Sequence, residues 1–322
     1  MKLFKYFITI IITALTIAGG LSFLINKGLK RSSIDFYGKI NYVLNDKTNI
    51  DILLVGSSRT LTNIDPHIID SITQLRSYNA GLNAATIKTC YNVIAAAIKK
   101  QSHLKYVILN IDFNMFKPGI DPYKDAYYYP YTSGDDEFVY SNNTKANIIH
   151  KINFLDVSTY DDYAKYAALR GLISPTQNTG NGFFPHVEQG FTRPDSTLLK
   201  EDIENYTEEG HGLLEKIMIV CKQKNIELML VVAPYQKDYA PAFFIKNYNE
   251  ILELVKASAS KNTAHYFDYT QLPLESDTSN FYNSWHLNIK GATTYSIQVA
   301  NDLKQFITQQ YRDSIPNGKT SR

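Results

Sequence analysis

At 322 residues the chain can bury a full hydrophobic core, as one large domain or two small ones. A hydrophobic content of 44%, a charged content of 20% and a formal net charge of +2 are ordinary for a globular protein and exclude a strongly basic nucleic-acid surface. Tyrosine is the outlier, with 24 copies against one tryptophan. Its apolar ring and polar tip suit sugar grooves and membrane-proximal surfaces as well as half-buried loops.

In chain order, the first signal is Phe7 to Ile25, an uncharged run flanked by Lys2 and Lys5 before it and Lys27, Lys30 and Arg31 after it. As a helix it spans about 28 Å, close to the ~30 Å of a bilayer core. The small residues Ala18-Gly19-Gly20 lie inside the run rather than after it, and no cysteine follows. The expectation is an uncleaved signal anchor over residues 1–32 rather than a cleaved signal peptide or a lipoprotein leader. Both flanks are basic and fix no orientation; the long following domain is expected on the extracytoplasmic side.

Ile52-Leu53-Leu54-Val55 then reads as a buried strand stopping at Gly56-Ser57-Ser58-Arg59. A short apolar segment, Ser77 to Ala80, precedes Gly81, and Ala84 to Lys100 has helical spacing. Tyr106 to Asp112, Ile226 to Pro234 and Thr263 to Asp268 are further strands. Glu204 to Lys224, Phe243 to Ser260 and Ile289 to Gln309 are helical. This alternation predicts an α/β domain over 33–312 with a mostly parallel sheet covered by helices. An insertion at about 116–200 breaks the rhythm with Tyr123, Tyr127-Tyr128-Tyr129 and Tyr131, a short helix near Tyr160 to Arg170, and Gly180-Asn181-Gly182-Phe183-Phe184-Pro185. Such a length suits a lid, a substrate wall or a partner surface. The tail 313–322 is polar. Cys90 and Cys221 fall in helical segments and read as buried thiols rather than a disulfide. No CxxC, HExxH or His/Cys cluster is present, so neither a metal nor a cofactor is expected.

A serine at the carboxyl end of a strand is a candidate nucleophile if a base removes its proton and an acceptor orients that base. Alone, it reads more readily as a helix N-cap. The natural base is His286 in Asn283-Ser284-Trp285-His286-Leu287-Asn288. Gly56-Ser57-Ser58 and the Asn283-x-x-His286 spacing resemble the first and last blocks of the SGNH/GDSL hydrolases. Asn79-Ala80-Gly81-Leu82-Asn83 resembles the second. The resemblance covers most of residues 50 to 310 and implies a three-layer α/β/α, flavodoxin-like fold. It makes Ser58 the nucleophile, with Ser57 in the place of the family's Asp, His286 the base, and the N–H groups of Gly81 and Ser58 oxyanion donors. The order of anchor, Gly-Ser-Ser, long insertion and His-Leu-Asn resembles membrane-anchored envelope acyltransferases such as the D-alanyl-lipoteichoic acid assembly and alginate O-acetylation proteins. That implies a cell-surface glycan or acyl ester as substrate, and a polytopic membrane acyltransferase as partner.

Two positions depart from the family. Asp112 stands where the third block has a donating asparagine, and a carboxylate only accepts hydrogen bonds. Asn114 or Asn110 takes that role, or the backbone donors act alone. Asn283 stands where the family has the Asp that orients histidine; it can accept from the imidazole but cannot stabilise imidazolium by charge, leaving Asp277 as an alternative acid or the site as an impaired, glycan-binding one. Arg59 is expected in a salt bridge or on an anionic substrate group, and His186, beside Phe183 and Phe184, in the acceptor groove or on a surface loop. His67, His103, His150, His211 and His265 carry no pattern.

Overall fold

The computed structural model describes residues 2–116, 123–131, 156–175, 180–187, 208–236, 238 and 242–314. Most of the 116–200 insertion, the start of the helix expected from Glu204, and residues 315–322 of the tail lie outside the described residues. By their contacts the residues group into two compact units.

The larger unit comprises 49–90, 103–120 and 180–322. Its five strands are β1 (Ile52–Val55), β2 (Ser77–Asn79), β3 (Tyr106–Asn110), β4 (Glu227–Val232) and β5 (His265–Asp268). All neighbours are parallel, in the order β2-β1-β3-β4-β5. This is the flavodoxin-like order, whose switch point lies between β1 and β3. Leu54 pairs with Asn79 on one side and Ile108 on the other, so the register brings the ends of β1 and β3 level. These strands are short continuous apolar runs because both faces are covered: every residue of β1 and β3 is buried.

Helices α3 (Ser58–Asn63) and α4 (Pro66–Thr73) follow β1, and α5 (Ile87–Lys100) follows β2. Asp65 caps α4 by accepting from the His67 N–H, with Pro66 at the first helical position. Ile64 and Ile69 join Ile52, Leu54, Ile108, Met229 and Val231 in one core face of the sheet.

The smaller unit comprises 1–48, 91–102 and 121–179. It holds α1 (Lys2–Leu29), α2 (Asp35–Val43) and α6 (Asp162–Ile173). α1 is long and apolar enough to cross a membrane, and its apolar side chains from Leu3 to Leu24 are largely exposed. Many of the insertion's tyrosines lie in the core of this unit. Phe36 stacks on Tyr123 at 5.1 Å and meets Tyr128 edge-on at 5.2 Å, while Tyr37 stacks on Tyr163 at 5.9 Å. The Asn41 amide donates to the carbonyls of Leu29 and Ser32, both at 2.8 Å, satisfying the end of α1.

The remaining helices, α7 (Glu208–Gln223), α8 (Ala242–Asn262) and α9 (Ile289–Ser314), belong to the larger unit. α9 packs on α3 and α4 and places Tyr295, Val299 and Leu303 in the same core face. α7 and α8 lie against β4 and β5. Cys90 and Cys221 are buried free thiols in α5 and α7.

Candidate active site

The chain leaves β1 at Gly56, whose φ of +152° suits only glycine; a Cβ there would meet the Thr60 hydroxyl and the Asn110 carbonyl. This sharp exit turns the backbone directly into α3. The helix cap is Ser57, whose Oγ accepts from the Arg59 N–H at 3.3 Å. Ser58 is therefore released from capping and stands as the first residue of the helix, half-buried.

The Ser58 Oγ lies 2.8 Å from Nε2 of His286. Nδ1 of His286 lies 3.1 Å from Asn283 Oδ1, which also accepts the N–H groups of Trp285 at 3.0 Å and His286 at 2.9 Å. These two backbone donors form an Asx turn that points the amide oxygen, rather than the NH₂, at the loop. Nδ1 must therefore carry the hydrogen, and the Nε2 lone pair faces Ser58. Burial holds the His286 pKa at about 4; the Asp112 charge pulls it up, and Arg59 and His186 push it down. At neutral pH the imidazole is the free base that proton abstraction needs.

Three anchors hold this loop. Leu287 donates its N–H to Asn63 Oδ1 at 3.1 Å, and Gln236 donates its N–H to the Ser284 carbonyl at 2.9 Å. The Trp285 ring packs on Phe113 at 5.3 Å and Tyr235 at 5.9 Å. Asn288 then starts α9, accepting the Gly291 N–H at 3.1 Å.

Beneath Ser58 lies a buried network that crosses the switch point. Ser57 Oγ donates to Asp112 Oδ2 at 2.5 Å, and Arg59 Nη1 pairs with Asp112 Oδ1 at 3.1 Å. Arg59 Nη2 donates to the carbonyls of Ala233 and Pro234. Arg59 is 1% exposed, so of its two expected roles it fills the salt bridge; burial leaves it no face for a substrate. Asp112 serves as the acceptor of this network instead of an oxyanion donor.

Gly81 is placed differently from its expected role. Its N–H donates to Asn79 Oδ1 at 2.9 Å, while the Asn79 amide caps the end of α3 through the carbonyls of Thr60 and Ile64 at 2.7 and 2.8 Å. To face an oxyanion, Gly81 would have to release Asn79. Asn110 holds the Ala233 N–H at 3.1 Å and is fully buried, and among the described residues no hydrogen bond joins Asn114 to Ser58. The Ser58 N–H, an orphan donor of the first helical turn, makes no hydrogen bond among the described residues. Of the two backbone donors expected for an oxyanion, it is the one without an internal acceptor among the described residues. Asp277 binds Ser279 and Lys290 at the surface and does not reach His286.

His186 arrives on the 180–187 segment. Gly182, at φ +81°, presses on the Asn79 carbonyl, Phe184 donates its N–H to the Leu61 carbonyl at 3.0 Å, and the His186 carbonyl accepts from Ile289 at 2.8 Å. The His186 ring stacks on Tyr282 at 4.0 Å and meets His286 edge-on at 5.5 Å. It forms a wall of the site. Neither Tyr282 nor the Ser57–Asp112 bond carries a signal in the sequence. Among the described residues no cluster of His, Cys, Asp and Glu could hold a metal ion.

The arrangement is a serine hydroxyl in hydrogen-bond contact with a histidine at the carboxyl ends of parallel strands. No family model and no curated protein matches the chain. Among solved structures it is similar to a protein described as lipolytic and of the G-D-S-L family, from Desulfitobacterium hafniense DCB-2, at 10% identity and a TM-score of 0.43, covering 78% of this chain and 97% of that one. A second is 10% identical with a TM-score of 0.35, covering 80% of this chain and 99% of that one.

Proposed function

We propose that the chain is a serine esterase or O-acyltransferase of the SGNH type, acting on a cell-surface glycan from the extracytoplasmic side of the membrane that α1 crosses. The observation that carries this reading is the 2.8 Å contact between Ser58 Oγ and His286 Nε2, with Asn283 fixing the tautomer behind it. Ser58 Oγ attacks the carbonyl carbon of an acyl ester while His286 Nε2 takes its proton. The Ser58 N–H faces the developing oxyanion. The tetrahedral species collapses, the leaving alcohol takes the proton from His286, and the acyl group stays on Ser58. A sugar hydroxyl or water then gives its proton to His286 and attacks the acyl-enzyme; as the second tetrahedral species breaks its bond to Ser58, His286 Nε2 returns that proton to Ser58 Oγ and both groups are restored. His186 and Tyr282 would line the acceptor side, and the anchor would keep the domain beside a polytopic acyltransferase that supplies the acyl group.

Ser58→Ala is expected to lower acyl release from acetylated glycans or model esters by at least about 10³-fold. Full activity in that variant would sink the proposal. A second reading, an impaired SGNH-type protein that binds glycan or assists assembly, is favoured by the amide at 283 and the engaged Gly81 N–H. A fluorophosphonate separates the two: labelling that disappears in Ser58→Ala supports the enzyme, whereas glycan binding by an unlabelled wild type supports the second.

A further inference from the structure

We propose that α6 is a membrane-interface helix that lies in the headgroup layer beside the point where α1 leaves the bilayer, so that the smaller unit rests on lipid. The two helices are in intimate contact. A Cβ on Gly171 would meet the Gly28 carbonyl, and one on Gly28 would meet the Ala168 carbonyl, so only glycines permit this crossing. The turn before α6 is fastened to α1 as well: Ser22 Oγ accepts the Val157 N–H at 3.0 Å, and Asn26 Oδ1 accepts the Tyr160 hydroxyl at 2.5 Å.

α6 buries Ala164, Ala167, Ala168 and Gly171. On its other side Tyr166, Leu169, Leu172 and Ile173 are open, Leu169 at 53% and Ile173 at 68% exposure. Phe23 and Leu24 of α1 are exposed as well. Depth points to lipid as the occupant. The apolar run ends at Ile25, yet the protein already grips α1 at Ser22, about 4.5 Å earlier along the helix. The turn that grips the helix there sits about that far inside the apolar boundary, and α6 itself crosses α1 at Gly28, about as far beyond Ile25, at the level of the headgroups. Lys27, Lys30, Arg31 and Arg170 are exposed nearby and suit the headgroups, as Tyr166 suits the interface.

The test uses the full-length chain in phosphatidylcholine–phosphatidylglycerol vesicles. Single variants L169C, I173C and L15C are labelled with a polarity-sensitive fluorophore; the native thiols are buried and do not compete. Lipids brominated at shallow or deep acyl positions are expected to quench L169C and I173C at least twofold, shallow bromines most, and L15C chiefly from deep bromines. A label at L15C quenched by lipid, with α6 labels that only aqueous iodide quenches, overturns the proposal and assigns the face to a protein partner. No lipid quenching at any position removes the span itself and overturns it too. A second variant guards against insertion driven by the dye: L169E/I173E, still anchored by α1, is expected to expose a Y166C label to iodide, and unchanged protection there also overturns the proposal. None of these outcomes depends on Ser58 chemistry.

Discussion

Asn283 offers one oxygen to three donors, and that crowding decides what an amide can do in an acid's place. In a serine protease, exchanging the acid behind the histidine for its amide lowers kcat by about 10⁴-fold, because the imidazole is held in the wrong tautomer. Here the Asx turn fixes the right tautomer, and what is missing is the charge that stabilises imidazolium. Asn283→Asp is therefore expected to raise kcat and to lift the acid limb of the pH–rate profile upward from near 4, because a carboxylate beside Nδ1 favours the protonated ring. Asn283→Leu should cost at least about 10²-fold by freeing the ring. Steady-state kinetics from about pH 3.5 to 8, spanning the lowered and ordinary ranges of the imidazole, check both. Ser58, Asn283 and His286 were legible in the sequence because Gly56-Ser57-Ser58 follows an apolar run and, with the Asn283-x-x-His286 spacing, resembles the first and last blocks of the SGNH/GDSL hydrolases. The Arg59–Asp112–Ser57 network was not, since its partners lie far apart in the chain and meet only when β1 and β3 align.

Among the elements, β1, β3 and β4 announced themselves as buried apolar runs, whereas α2 and α4 did not. α2 is short, and its Phe36 and Tyr37 make sense only against tyrosines about 90 residues away in sequence. The 180–187 segment is the element that most directly shapes the site, through the backbone of Gly182. Gly182→Ala forces a side chain into a positive φ and against the Asn79 carbonyl. It is expected to destabilise the fold by about 1–3 kcal/mol and to raise KM more than it lowers kcat, because His186 shifts while Ser58 and His286 keep their contact. Thermal melts together with acceptor-dependent kinetics test this, and an unchanged KM would remove His186 from the substrate wall.

For the molecule as a whole, the half-buried His286 and the buried Lys39 contribute pH dependence to stability in opposite parts of the scale. His286 is held at about 4 in the fold against an ordinary 6.5, so the unfolded chain takes up its proton first and stability falls as pH drops from about 6.5 to about 4. Lys39 is lowered to about 7 from 10.5, chiefly by burial, with Asp35 opposing the shift. Between those values the unfolded chain holds the extra proton, so stability rises as pH climbs from about 7 toward 10.5. Urea melts across about pH 4–10, followed by far-UV dichroism, should show both slopes. Lys39→Met should flatten the alkaline one and His286→Gln the acidic one.

The bond between Ser57 and Asp112 also constrains how this sequence can drift. One carboxylate serves Arg59 from the β3 side, where an arrangement with Asp at 57 and Asn at 112 would serve it from the β1 side. Each single step between these two solutions is unfavourable. Ser57→Asp sets two carboxylates face to face, and Asp112→Asn strands a buried guanidinium at a cost of about 3–5 kcal/mol. The double variant returns to one acid and one cation and should recover most of that loss, a coupling that a double-mutant cycle measures directly. Positions 57 and 112 are thus a single heritable unit, and descendants of this chain should change both or neither.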